Sequence, residues 1–164
     1  MTLSELYREN ARHVYRFSFW MSGNAADAED ITSETFVRAL TRTQSFESAT
    51  VRAYLFAIAR NVFLQQRRRR RPRAELDEQL PDLAPDPYRR AKSSQEISRM
   101  SAALLALPEV DRTALLMRAT EATPYRDIAR SLDISVSAAK VKVHRARLRL
   151  AEALDRRIKD ADHS

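Results

Sequence analysis

An all-α fold, built as two small helical domains joined by a flexible linker, is what this sequence predicts, on three observations. The 164 residues contain a single glycine, Gly23, which leaves almost no material for the sharp turns of hairpins and sandwiches. Apolar residues recur every three to four positions through most of the chain, the period of an amphipathic helix. From Arg73 to Pro87 that period gives way to acids and to Pro81, Pro85 and Pro87, which continue neither helix nor sheet. The expected domains are 1–71 and 94–158, with a linker over 72–93 that lets them move relative to one another.

In the first domain, Leu6, Val14, Phe17 and Met21 mark a helix over Leu3 to Met21, stopped by Gly23 and Asn24. A second helix is expected from about Ala25 to Thr41, with Ala28, Ile31, Thr35 and Ala39 as its inner stripe. Acids crowd its first turn, where the helix dipole favours them. Asp27, Asp30, Glu34 and Arg38 share its outer face, with Glu29 beside them. After a polar loop over 44–50, a third helix from about Val51 buries Leu55, Ile58, Ala59 and Val62 and runs into Arg67 to Arg71. Its aromatics and amides, among them Tyr54, Phe56, Asn61 and Gln65, sit beside cations, as single-stranded bases require of a stacking platform. Core packing or partner contact would use Tyr54 and Phe56 equally well, and this helix alone does not decide.

The second domain is expected to begin near Ser94, with Ile97, Met100, Leu104 and Leu107 inward, and to continue through Leu115 and Leu116 with Pro108 in a first helical turn. Thr123 as N-cap and Pro124 at the first helical position open a short helix that buries Ile128, Ala129 and Leu132. A turn over 132–135, with Ser135 as cap, leads into SVSAAKVKVHRARLRL, which has five basic side chains and no acid.

On a helical wheel, Val136, Ala139, Val143, Ala146 and Leu150 form the buried stripe of that last helix. Lys140 and Arg147 lie on one flank and Lys142 and Arg149 on the other, while Ser137, Val141, His144 and Arg145 point outward. Cationic flanks around a mixed face suit a helix in the DNA major groove, phosphates meeting the flanks and base edges the centre. Val141 then has a role that a solvated helix would not give it, contact with a thymine methyl. With the short helix before it, Ala129 at the close approach and Asp133 in the turn, the segment reads as a helix-turn-helix. A membrane-surface helix would need larger apolar residues on the buried stripe.

The charge is placed, not spread. The net charge is +7, yet residues 1–66 hold seven Arg against seven acids, while Arg67 to Arg73 hold six Arg and no acid. With no cysteine there is no disulfide framework or thiolate metal site, and no apolar run approaches the length of a membrane span. No signal peptide opens the sequence, so a cytoplasmic protein without membrane insertion is expected. His13, His144 and His163 are scattered, and no phosphate loop or nucleophile motif is present, so neither an enzyme nor a metal or other cofactor is expected.

Three segments in order, ADAEDITSETFVRAL at 26–40, VRAYLFAIARNVFLQQRRRR at 51–70 and LPEVDRTALLMRATEATPYRDIARSLDISVSAAKVKVHRARLRL at 107–150, resemble the bacterial sigma-70 family and its extracytoplasmic-function (ECF) group. The resemblance implies a region 2 domain of three or four helices and a region 4 helix-turn-helix domain. It implies a sigma factor that binds core RNA polymerase, on the clamp helices of the largest subunit and the flap of the second-largest, and directs promoter recognition, −10 melting and transcription initiation. By position in the family's motifs, Asp27, Glu29, Asp30, Glu34 and Arg38 become polymerase contacts. Gln44, Phe46, Arg52, Tyr54, Arg60, Asn61, Gln65, Arg67 and Arg68 become contacts to the −10 element, whose opening costs unstacking energy that the protein must return. Tyr125, Ser137, Ala138, Lys140, Val141, Lys142, His144, Arg145 and Arg149 become contacts to the −35 element. An anti-sigma factor is a further partner that such a protein accommodates.

Departures from the family pattern concern specificity. Tyr54 stands where Trp is frequent, Gln65 where Asp is frequent, and Ala138, Ala139 and Val141 replace Thr, Val and Ser. Two other functions compete. A stand-alone helix-turn-helix regulator would account for 108–150 but leave the acidic helix and the Arg-tailed helix without a purpose. Nonspecific RNA binding through Arg67 to Arg73 would give affinity that falls with salt whatever the sequence.

Overall fold

The computed structural model describes residues 2–41, 48–69 and 87–162, with side chains described for 2–41, 51–69 and 94–156. Among the described residues there are seven helices and no strand. The first group comprises α1 (Leu3–Ser22), α2 (Ala25–Leu40) and α3 (Ser48–Arg69), the second α4 (Pro87–Leu105), α5 (Glu109–Glu121), α6 (Tyr125–Leu132) and α7 (Val136–Asp162).

Local chemistry sets the ends of the helices. Thr2 and Glu5 form a reciprocal capping box at the start of α1. Gly23 ends α1 in the left-handed conformation at φ 72°, its N–H donating to the Phe19 carbonyl at 2.7 Å. The left-handed angle favours glycine, and an added Cβ there would lie 2.7 Å from Leu105 Cδ1 of α4, whose side chain would have to shift. Asn24 then caps α2, its Oδ1 accepting from the Asp27 N–H at 2.9 Å. Asp133 occupies the left-handed position of the α6–α7 turn at φ 54°, and Ser135 Oγ accepts from the Ala138 N–H at 3.0 Å to open α7.

Two cap expectations are corrected. Pro108 and Pro124 have ψ near 143° and 141°, too extended for a first helical turn, and each stands at the N-cap with no side-chain bond to the helix. Thr123 therefore lies one residue before the cap. It is buried, its N–H donates to the Met117 carbonyl at 3.2 Å and its carbonyl accepts from Arg118 Nη1 at 3.2 Å. α3 begins three residues earlier than expected and α4 seven earlier, inside the stretch expected to be linker.

The inner stripe of α2 is buried, as are Val14, Phe17 and Met21 of α1 and Leu55, Ile58, Ala59 and Val62 of α3. Phe17 stacks on Phe56 with ring centroids 4.9 Å apart, which ties α1 to α3. Each such side chain taken fully from water contributes about 1.5–3 kcal/mol. Ile128, Ala129 and Leu132 of α6 meet Ala139, Val143 and Ala146 of α7 in the same manner.

The two groups do not stand apart. Buried residues from all seven helices make one continuous cluster, in which α1 packs against α4 and α5, and α3 against α5 and α6. Thr113 of α5 reaches Met21 of α1, its hydroxyl 3.5 Å from the thioether sulfur. In the described chain the two groups are packed together. Ionic contacts across this seam, made by residues far apart in sequence, leave no periodic signal by which to foresee it.

Candidate nucleic-acid interface

The basic helix α7 packs through Ala139, Val143 and Ala146, each fully buried. Val136 lies at the edge of this stripe and is 41% exposed, which narrows the buried face predicted from the wheel. Opposite it, Ser137, Val141 and His144 are exposed, joined by Leu148, which was not anticipated. Val141 is 60% exposed and Leu148 55%, about two helical turns apart on one stripe, so the outward centre of α7 is partly apolar.

The cations divide differently from the wheel. Arg145 turns to the flank of Lys142 and Arg149, and all three converge on Asp111 of α5, whose side chain is 1% exposed. Arg145 Nε and Nη2 donate to the two Asp111 oxygens at 3.0 Å each, while Lys142 Nζ and Arg149 Nη1 lie 3.6 and 4.0 Å from them. Burial pushes the Asp111 carboxyl upward, but the Arg145 hydrogen bond and the charges of Arg145 and Lys142 outweigh it and hold the group below the usual carboxylate range. The Asp111 hydrogen bond and charge in turn raise the Arg145 guanidinium. Arg145 is thus oriented from behind, which an outward-pointing assignment missed because Asp111 lies 34 residues upstream.

On the other flank, Lys140 and Arg147 are exposed and Ala138 is half-buried. Tyr125, at the start of α6, lies beneath the Arg118 guanidinium at 4.4 Å and within 5.8 Å of Lys140 Nζ. Its ring joins α5, α6 and α7, and the two cations are oriented by the negative face of the ring.

In the first group, Asn61, Gln65, Arg67 and Arg68 are exposed along the C-terminal half of α3, and Tyr54 is half-buried against the core. Gln44 and Phe46 lie outside the described residues. Arg52 and Arg60 are engaged within the chain: Arg52 donates to Glu121, Asn10 and the Glu9 carbonyl, and Arg60 to Glu109. Glu109 and Glu121, both on α5, escaped the sequence reading altogether.

The outer face of α2 carries Glu29 and Asp30 exposed, with Asp27, Glu34 and Arg38 half-buried. Arg38 links this face to α3, its Nε donating to Glu34 at 3.0 Å and its Nη2 to Gln65 at 2.5 Å. Asp30, Glu34, Arg38, Gln65 and Arg69 line a cleft of about 390 Å³ between the two helices. Among the described residues no three His, Asp or Glu side chains group to hold a metal ion, and no helix is long and apolar enough to cross a membrane.

Residues 6–73 match the family model of sigma-70 region 2 and residues 92–150 that of sigma-70 region 4. The chain is 34% identical to the ECF RNA polymerase sigma factor SigE of Mycolicibacterium smegmatis over 92% of its length, spanning 60% of that protein. It is 28% identical to SigM of Bacillus subtilis over 98% of its length and 99% of that protein. To EcfG of Rhodopseudomonas palustris it is 34% identical over 84% of its length and 77% of that protein. Its fold is similar to that of the sigma factor RpoE of Bartonella quintana, solved in complex with the anti-sigma factor NepR, with a TM-score of 0.69 over 93% of this chain and 96% of that one at 23% identity.

Proposed function

Because the chain belongs to the ECF group of the sigma-70 family, we propose that it binds core RNA polymerase and directs it to promoters whose −35 element is read by α7 and whose −10 strand is held by α3. The observation that carries this reading is the order of the two matches: region 2 and region 4 follow one another in a single chain, and a stand-alone regulator has no use for the first.

Each surface has chemistry suited to its part. The exposed centre of α7, Ser137, Val141 and His144, supplies a hydroxyl, an aliphatic contact and an imidazole for base edges. Lys140 and Arg147 on one flank, and Lys142, Arg145 and Arg149 gathered by Asp111 on the other, face the two phosphate backbones. Asp111 fixes the direction of Arg145 and partly neutralises its flank, which reduces nonspecific attraction relative to base readout.

On α3, Arg67 and Arg68 follow the backbone of an opened strand, while Tyr54, Asn61 and Gln65 address its bases. Binding energy does this work, and no bond is made or broken. Asp27, Glu29, Asp30, Glu34 and Arg38 present a largely acidic face to polymerase, and the Arg38–Gln65 hydrogen bond couples that face to the strand-holding helix.

The chain should co-elute with purified core polymerase in gel filtration. D30K/E34K should abolish co-elution while leaving duplex DNA binding by the same full-length chain unchanged. Absence of co-elution by the unsubstituted chain, or equal loss of both activities in the variant, would contradict this division of labour.

A further inference from the structure

Two carboxylates at opposite ends of α5 hold α3 by its arginines. Glu109 accepts from Arg60 Nε at 2.5 Å and Nη2 at 3.0 Å, both carboxylate oxygens engaged. Glu121, twelve residues on, accepts from Arg52 Nη1 at 3.0 Å through one oxygen and contacts His13 Nδ1 of α1 at 2.6 Å through the other. Both acids are shielded, with side chains 14% and 9% exposed. A guanidinium meets a carboxylate and a phosphate with the same two-pronged geometry.

We propose that α5 is an internal competitor for promoter DNA, its Glu109 and Glu121 occupying in the free chain the two arginines that strand phosphates take once the chain opens. The inference rests on the assignment of α3 to the opened strand.

Distance supports it. Elements centred about 25 base pairs apart are separated by about 85 Å of duplex at about 3.4 Å per step. A compact chain of this length has a radius of gyration of only about 15 Å. With α6 of the helix-turn-helix packed directly on α3, the closed chain cannot address both elements at once. The units must separate, and separation breaks the two clasps.

The seam also holds a group that favours opening. Arg112 of α5 is 2% exposed, and its Nε has no hydrogen-bond partner. Nη1 reaches the Leu107 carbonyl at 3.1 Å, and the guanidinium lies 5.7 Å from the centre of the Phe63 ring of α3. Burial lowers its pKa to about 10, against the opposing charge of Glu109 and with the help of nearby Arg67. A buried, incompletely satisfied cation is a standing cost of the closed state that hydration on opening relieves. Clasps and cation together make a seam that is held but not locked.

The chain has no cysteine, so dyes can be placed through Ser33→Cys on α2 and Arg130→Cys on α6, both exposed. The full chain and its E109Q/E121Q variant are compared for energy transfer and for binding a fluorescein-labelled, mixed-sequence 15-nucleotide single strand by anisotropy. E96Q/E152Q, at two exposed acids, controls for the same change in charge. The clasp variant should lose energy transfer and bind about tenfold more tightly than the control, the gain expected when an open state populated at about one tenth becomes dominant. Adding R52A/R60A should remove the gain.

A clasp variant that stays closed, or that opens and binds no more tightly than the control, overturns the inference. If R52A/R60A leaves the open variant's affinity unchanged, the assignment of α3 to the strand fails instead. Should the double variant lose helicity by circular dichroism, E121Q alone carries the test, with a gain of about threefold expected and no gain overturning it.

Discussion

Arg145 places Nε and Nη2 at 3.0 Å from the two carboxylate oxygens of Asp111, so the helix proposed to read DNA is braced by an acid from a different helix. Asp111 is the convergence point of Lys142, Arg145 and Arg149. Asp111→Asn removes the charge while keeping the shape. It should lower stability by about 1–3 kcal/mol, because buried donors and acceptors lose charge-assisted bonds. At this chain length that corresponds to a melting temperature lower by about 2–12 °C. Freed of their counter-charge, the cations should steepen the salt dependence of duplex binding by about one to two units of slope. Thermal melting and binding at several salt concentrations check both; an unchanged salt slope would show that the three cations already contact phosphate with Asp111 in place.

How far such features were legible in the sequence depends on how local they are. The stripes of α2 and α3 and the Ser135 cap follow from spacings of three or four residues, and the backbone that realises them is regular. Asp133 at positive φ was legible as a turn residue for the same reason. Asp111, Glu109 and Glu121 were not, because each acts on a partner 34 to 108 residues away, and the first-turn acids Glu109 and Asp111 also have an ordinary local explanation in the helix dipole. The wheel assigned Arg145 outward because it counts angles and knows nothing of the charges on neighbouring helices.

Acid should unfold the chain through the same carboxylates. Burial pushes Glu109 upward, but the Arg60 hydrogen bond and charge, with Thr113 and Arg112, bring its carboxyl below the ordinary value, as the partners of Asp111 do for that group. A carboxyl whose folded pKa is depressed binds fewer protons folded than unfolded. Its contribution is therefore complete above the ordinary carboxylate range, near about pH 4–5, and is lost as pH falls through the depressed folded values. Chemical denaturation from pH 7 down to pH 2 should show a loss of stability beginning near the ordinary range, and E109Q/D111N should flatten it. A variant with the same slope as the unsubstituted chain would refute the assignment.

Gly23→Ala combines two costs. The left-handed φ of 72° penalises a β-carbon by about 1–2 kcal/mol. The new Cβ would also approach Leu105 Cδ1 to 2.7 Å and Ser101 Oγ to 3.0 Å, where α1 meets α4. Melting should fall by about 2–8 °C, and the dye pair on α2 and α6 should report a more open chain. Loss of melting temperature without opening would place the strain wholly in the turn.

Val141 and Lys140 separate base reading from phosphate binding. Val141→Ala, at a 60% exposed position facing away from the core, should alter the preferred −35 sequence without changing the salt slope. Lys140→Ala should weaken binding to all sequences alike and reduce the slope by about one. Selection from randomised duplexes, followed by salt titration of the selected sites, distinguishes the two. A changed preference in Lys140→Ala with none in Val141→Ala would mean that the centre and flank of α7 are exchanged.

Transcription is the most direct measure of the central claim, that one chain carries both promoter-reading surfaces to polymerase. Core RNA polymerase purified free of other sigma factors, given fragments of the source genome, should produce discrete run-off transcripts only when this chain is added. Those transcripts should disappear with D30K/E34K and with substitution of Arg67 and Arg68 together. Core polymerase that gives the same transcripts with and without the chain, or none in either case, would contradict the account.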